Sequence, residues 1–403
     1  MKILQINSCH YRRGGADVVY LNTGELLRQK GHDVYFFSMK DEKNIQEEKA
    51  ACFVNGSNPR NLSLFNKIRS APSFIYNREA YSRLSEYLDE INPDIAHIHL
   101  FLGKLSSSIL KALKKRNIPV VTTVHDYRFI CPAYLFLDGK NKICEKCING
   151  FYLNCTLKRC SEGNLFQSFM LSADAYFRKY GINPLNYIHR FIFVSDFIRK
   201  KHISFNAAYG TRQKLLYNFI PDLARLAPAN KKGDYFLFYG RLSREKGLDT
   251  LVRAAHKTGI ALHVVGTGPL SAEYAGNTNQ KINFLGYKTG KELTDLIRNA
   301  SFVVVPSEWY ENNPLTILEA YSHGKPVIGS EIGGIPEIVE RNRTGFLFES
   351  GNEDELASAL KRANSVSDAE YLDMSRSARA FAESHFDPDM HYEKLMDIYE
   401  ELV

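Results

Sequence analysis

Short runs rich in Val, Ile and Phe recur along this chain between segments whose apolar residues fall at helical spacing, and that alternation restarts once. Residues 2–6, 34–37, 95–98, 120–124 and 191–194 are the first series of strand-like runs, with helical patterns such as 18–29 and 105–116 between them. After residue 221 the rhythm begins again with 235–239, 261–265, 282–285, 302–305, 327–329 and 346–348. Strand alternating with helix implies a parallel sheet covered by helices on both faces, because a parallel connection must cross over the sheet. At 403 residues the chain exceeds what one ordinary core supports, so the two series imply two α/β domains of Rossmann-like type.

The expected boundary is the proline-bracketed, polar stretch 220–233, read as an interdomain linker, with hinge motion around 218–233. This assigns residues 1–220 to a first domain, 221–385 to a second, and 386–403 to a terminal helix after the Phe386-Asp387-Pro388 break. No stretch approaches the roughly 20 apolar residues a bilayer span requires, and the first residues do not form a leader, so the expected location is the cytoplasm. The charge is uneven: residues 1–220 carry 32 Lys and Arg against 18 Asp and Glu, whereas 221–403 carry 20 against 27. A basic first half suits an anionic partner such as a membrane surface, a lipid diphosphate or a nucleic acid, and an ordinary solvated surface accounts for it equally well.

The densest chemistry follows the run 302–305. Glu311, Asn312, Asn313, Pro314, Leu315, Thr316 and Glu319 occupy a loop and a helix start, with Asn313 placed as N-cap and Pro314 as the first helical residue. A helix start offers unpaired N–H groups to a diphosphate, here from Leu315 and Thr316. Glu319 lies three and four residues beyond them on the same face, placed to accept from ribose hydroxyls, while Glu311 in the loop can accept from a sugar. Upstream, Gly240, Arg241 and Lys246 stand between a strand and a helix, where two cations can neutralise a departing diphosphate. Gly266 and Gly268 follow another strand and suit a nucleoside pocket wall, although a tight turn alone needs the same residues. In the first half, Gly14 and Gly15 precede a helix, and His125 ends a strand at the sheet's carboxyl edge.

This constellation resembles the Glu-x7-Glu signature of retaining family 4 glycosyltransferases. The likeness continues through Gly324-Lys325-Pro326, Gly333-Gly334-Ile335-Pro336-Glu337 and Thr344-Gly345-Phe346-Leu347. It covers nearly all of 235–400 and the first half more loosely. The resemblance implies the GT-B fold: two Rossmann-like domains facing across a cleft, with the C-terminal helix crossing back to the first. It makes 1–220 the acceptor-binding domain and 221–385 the binder of a nucleotide diphosphate sugar, UDP favoured and GDP-mannose second. It further implies that His125 contacts the donor sugar, that Arg241 and Lys246 serve the leaving diphosphate, and that the Gly14-Gly15 loop reaches toward it. No catalytic metal is expected, since the sequence has no Asp-x-Asp at a strand edge. The acceptor would be a glycan or a polyprenyl-diphosphate-linked oligosaccharide in bacterial capsule, O-antigen or exopolysaccharide synthesis, handled with peripheral contact to an anionic membrane and no nucleic-acid partner.

Five of the seven cysteines fall in an insert at about 127–165. Thiolates at this density suit a structural zinc ion, with Cys144, Cys147, Cys155 and Cys160 as ligands, and unrelated reduced thiols are the other reading. The insert's Tyr127, Arg128, Phe129, Tyr134, Phe136, Phe151 and Tyr152, with nearby lysines, suggest an aromatic and basic surface for lipid headgroups. Two other functions remain open at this stage: a nucleotide-sugar epimerase or phosphorylase of the same fold, and a zinc-containing nucleic-acid-binding protein built on the basic half.

Overall fold

The computed structural model describes residues 1–55, 72–274 and 281–403. It divides into two units, Met1–Leu216 with Tyr392–Val403, and Tyr217–His391. In the first unit, β1 (Lys2–Ile6), β2 (Asp33–Phe37), β3 (Ile95–Ile98), β4 (Val120–Val124), β5 (Arg190–Phe193) and β6 (Gln213–Leu215) form a six-stranded sheet in the order β2-β1-β3-β4-β5-β6. All pairs are parallel, and Ile3 lies opposite Ile95 and Val34 on its two neighbours. Five strands coincide with apolar runs. The sixth, Gln-Lys-Leu at the sheet edge, lacks an apolar run because it is buried by neither face.

The second unit repeats the architecture with β7 (Phe236–Tyr239), β8 (Leu262–Val265), β9 (Ile282–Phe284), β10 (Val303–Val305), β11 (Val327–Ser330) and β12 (Gly345–Phe348), ordered β12-β11-β10-β7-β8-β9. Its strands read as unbroken apolar runs because both faces are covered. Phe236 and Phe238 pack in one core with Leu262, Val304 and Phe346, whereas Leu237 and Tyr239 enter a separate core with Val303, Ile317 and Tyr321. Both sheets thus place their carboxyl ends, where loops carry chemistry, beside the glycine-containing segments of the sequence.

The stretch expected to link the two domains packs on the second unit. Leu223 is fully buried in the second unit's core, and the Arg379 guanidinium donates to the carbonyls of Leu223 (3.0 Å) and Leu226 (2.8 Å). Burying Leu223 and saturating two carbonyls ties this segment to the second unit. The terminal helix Pro388–Glu400 follows the proline break. From Tyr392 onward it belongs to the first unit, where Leu395 and Tyr399 join Ile3, Tyr20 and Ile192 in the core. Among the described residues no helix is long and apolar enough to cross a membrane.

Candidate active site

The second unit builds its site from the loops after β7, β8, β10 and β11. Glu311 is buried, and its Oε1 accepts from three donors: Lys246 Nζ at 2.6 Å, Ser307 Oγ at 2.7 Å and Trp309 Nε1 at 2.8 Å. The Lys246 ammonium also lies 5.0 Å from the centroid of the Trp309 ring, a cation–π contact that keeps the lysine over the loop. Glu311 Oε2 carries no hydrogen bond among the described residues, so one carboxylate oxygen is fixed and the other is left to accept from a ligand. An ammonium has three donors and only one is spent on Glu311, which leaves Lys246 able to bind a second anion.

Glycines allow these loops to touch. Gly333 sits at φ +62°, and a Cβ there would lie 2.2 Å from the Glu311 carbonyl oxygen; Gly334 N donates to that same oxygen at 2.7 Å. Gly266, at φ +136°, would place a Cβ 1.8 Å from the carbonyl oxygen of Gly240, and Gly268 would place one 2.3 Å from that of Leu242. The turn that makes Gly240 adjacent to Gly266 is therefore open to glycine alone. Arg241 is exposed and makes no ion pair among the described residues, so the structure brings Lys246 and not Arg241 onto Glu311.

The helix after this loop runs Leu315–Ser322, and it begins one residue later than expected. Pro314 is the capping residue and no side chain caps the helix, because Asn313 is engaged elsewhere: its Oδ1 accepts from Asn218 N (2.9 Å) and its carbonyl from Asn218 Nδ2 (3.1 Å). Asn312 is buried in the same loop. The first turn thus presents the N–H groups of Leu315 and Thr316 without a side-chain cap. Glu319 projects from the same helix beside Tyr239, whose hydroxyl donates to the Thr316 carbonyl at 2.9 Å. Burial pushes the Glu319 carboxyl up to about 7, and the Tyr239 hydroxyl beside it pulls the other way.

In the first unit, Gly14 and Gly15 are exposed at the start of the helix Gly15–Gln29, which likewise lacks a side-chain cap. Asp17 in its first turn is buried and accepts from Asn7 Nδ2 at 2.9 Å. His125 ends β4 and stacks on His99 with ring centroids 5.1 Å apart, its Nε2 2.8 Å from His99 Nδ1. His99 in turn reaches Gln5 Oε1 at 3.1 Å and stacks on His97, whose ring nitrogens meet Tyr399 Oη at 2.6 Å and Thr123 Oγ1 at 2.7 Å. Burial lowers His125 to about 3, so the ring is neutral at neutral pH. Ser195 is fully buried and caps the helix Asp196–Phe205.

Sequence reasoning missed several partners: Ser307 and Trp309 on Glu311, Tyr239 beside Glu319, and His97 and His99 behind His125. For Trp309 the spacing from Glu311 was a signal, and for the His pair the alternation His97-Ile-His99 along one strand face was another. Tyr239 is found only in the tertiary structure.

Cys144, Cys147, Cys155 and Cys160, the expected zinc ligands, are free thiols in the insert. Among the described residues no three His, Cys, Asp or Glu side chains are placed to share a metal ion. The four thiols lie in one neighbourhood with Cys131. Cys155 and Cys160 bond to each other, which raises Cys155 and lowers Cys160, and burial pushes Cys131 and Cys147 up to about 12.

Comparison with known proteins agrees with this geometry. The chain matches the family model "Glycosyltransferase Family 4" over residues 13–222 and "Glycosyl transferases group 1" over residues 222–381. It is 24% identical over 362 residues to an uncharacterized 42.6 kDa protein in the cps region of Klebsiella pneumoniae, covering 84% of this chain and 87% of that one. It is 29% identical over 209 residues to the Escherichia coli UDP-Gal:alpha-D-GlcNAc-diphosphoundecaprenol alpha-1,3-galactosyltransferase, covering 45% and 52% respectively. The fold matches that of Anabaena HepE in complex with UDP-glucose at a TM-score of 0.66 and 17% identity, over 100% of this chain and 99% of that one. With two parallel six-stranded Rossmann-like sheets, a returning C-terminal helix and family matches spanning 13–381, the chain belongs to glycosyltransferase family 4, the retaining, metal-independent enzymes of the GT-B fold.

Proposed function

We propose that this glycosyltransferase moves a hexose from a nucleotide diphosphate sugar, a UDP-sugar in preference to a GDP-sugar, onto a glycan or polyprenyl-diphosphate-linked oligosaccharide of bacterial surface polysaccharide synthesis. The observation that carries the reading is the Glu311 carboxylate, one oxygen held by Lys246, Ser307 and Trp309 and the other without a partner among the described residues. A carboxylate fixed in this way selects hydroxyl-rich ligands, because it offers an acceptor at no cost in side-chain freedom. The uncapped helix start at Leu315 and Thr316 suits the diphosphate, Glu319 the ribose, Asn312 and Asn313 the shaping of the loop, and the walls at Gly240, Gly266 and Gly268 the nucleoside.

In this reading the C1–O bond to the diphosphate breaks as the acceptor oxygen bonds to C1 on the same face. The acceptor's proton passes to the departing diphosphate oxygen. The chain supplies position and charge: Lys246 and Arg241 offset the growing negative charge. The preference for UDP draws on the UDP-glucose complex of the Anabaena protein, and the lipid-linked acceptor on the Escherichia coli galactosyltransferase and the capsule-region relative.

The test is a panel of UDP-, GDP- and ADP-sugars assayed by thermal shift with Glu319→Ala as control. A UDP-sugar should stabilise the wild type and leave the variant unmoved. A shift of the same size in both proteins, or none with any nucleotide, would remove the assignment of this site.

A further inference from the structure

Thirteen large apolar side chains are exposed among the described residues, and eight of them fall between Ile143 and Tyr180. The aromatic residues that the sequence suggested for a lipid-facing surface are mostly elsewhere: Tyr127, Phe129, Phe136 and Tyr152 are buried and hold the insert together. The exposed set is Phe151, Leu153 and Leu157 on and before the short helix Leu153–Leu157, with Leu165, Phe166 and Phe169 on the helix Leu165–Tyr180. Leu157 is 74% exposed and Phe169 51%. At about 100° per residue, Leu165, Phe166, Phe169 and Tyr180 fall within one arc of roughly 100°.

The inner face of this helix pair is mixed, with Leu171 and Ala175 buried beside Ser168 and Ser172. Hydroxyls join its two helices: Thr156 Oγ1 lies 2.8 Å from Ser172 Oγ, Ser172 Oγ donates to the Tyr152 carbonyl at 2.8 Å, and Ser168 Oγ accepts from Ser161 N at 3.0 Å. A helix that also keeps Leu165, Phe166 and Phe169 on its outer face is suited to an apolar partner outside the fold. The charges around it identify that partner. Of the acidic residues between 138 and 180, Asp138, Glu145 and Asp174 are each ion-paired, to Lys158, Lys201 and Arg178. Lys140, Lys142, Lys146, Arg159 and Lys179 make no ion pair among the described residues, and Glu162 is the one acid of the segment likewise unpaired.

We propose that this face, Phe151 to Phe169 within its basic rim, docks the enzyme on the surface of an anionic lipid bilayer, the apolar residues entering the headgroup boundary and the lysines meeting lipid phosphates. A second copy of the chain fits poorly, since two basic rims would face each other, whereas an anionic surface neutralises the rim. Docking asks nothing of the sugar-transfer site and stands whether or not that reading holds.

The test is co-sedimentation of the full chain with vesicles of phosphatidylcholine alone or with about one-third phosphatidylglycerol. The wild type should pellet with the anionic vesicles only and be released as salt rises from about 0.05 to 0.5 M. Leu157→Glu/Phe169→Glu should lose at least about tenfold in vesicle affinity with its thermal melt unchanged, and Lys140→Ala/Lys142→Ala should also weaken binding. Should the glutamate pair fail to fold, Leu157→Ser/Phe169→Ser replaces it, with the same loss expected. Undiminished binding by these variants, no binding by the wild type, or a wild-type dimer in light scattering that the apolar substitutions dissociate would each overturn the proposal.

Discussion

At the scale of single residues, the site turns on two glutamates eight positions apart that live in opposite conditions. Glu311 is saturated on one oxygen by a cation and two neutral donors, so its charge is compensated where it is buried. Glu319 has the Tyr239 hydroxyl beside it and no ion pair among the described residues, and burial raises its carboxyl from an ordinary 4.5 to about 7. A raised carboxyl lowers stability as pH climbs: between 4.5 and 7 the unfolded chain gives up this proton while the folded chain keeps it, and above 7 the loss levels off. Glu319→Gln escapes that loss. Its Tm should therefore gain on the wild type as pH rises from about 4.5 to 7 and hold a constant lead beyond, in melts without ligand. A lead that stays flat across this window would show that Glu319 ionises normally in the fold.

Elements, rather than residues, decide how the loops meet. The helix Leu315–Ser322 begins at Leu315 because Asn313, the natural capping residue by sequence, is spent on Asn218, and this leaves the first turn open. The loop after β11 closes on Glu311 through Gly333 and Gly334. Gly333→Ala combines a left-handed backbone with a Cβ 2.2 Å from the Glu311 carbonyl oxygen, so the loop must move. Strain of this kind costs about 1–3 kcal/mol. The expected outcome is a lower Tm together with weakened binding of the stabilising nucleotide sugar. Gly286→Ala is the control: its φ is +68° but nothing lies within 4 Å of the added Cβ, so it should lose less stability and keep donor binding. Equal behaviour of the two variants would mean that the contact with Glu311 does not matter.

For the whole molecule, the last dozen residues complete the first unit from the far end of the chain. Tyr399 is fully buried there among Ile3, Tyr20 and Ile192, and its hydroxyl meets His97 at the base of the stack that ends in His125. Tyr399→Ala should cost about 3–5 kcal/mol by loss of an aromatic side chain from a core, and Tyr399→Phe about 1 kcal/mol by loss of one hydrogen bond. Urea denaturation reads both; a loss below about 1 kcal/mol for the alanine variant would place the terminal helix outside the cooperative core.

The sequence by itself determined the alternation of strands and helices, and hence two parallel sheets, because a strand buried on both faces must be apolar along its whole length. It also determined which loops carry the glutamates, Lys246 and the close-packed glycines, since these residue types are placed by local backbone demands. What it left to the tertiary structure were pairings between distant segments. The edge strand β6 has no apolar signature because it is only partly covered, and the stretch 220–233 is tied down by Arg379 from far along the chain. The docking face followed the same rule. Tyr127 and Phe136 are as aromatic in the sequence as Phe151 and Phe169, and only the packing of the insert decides which of them water can reach.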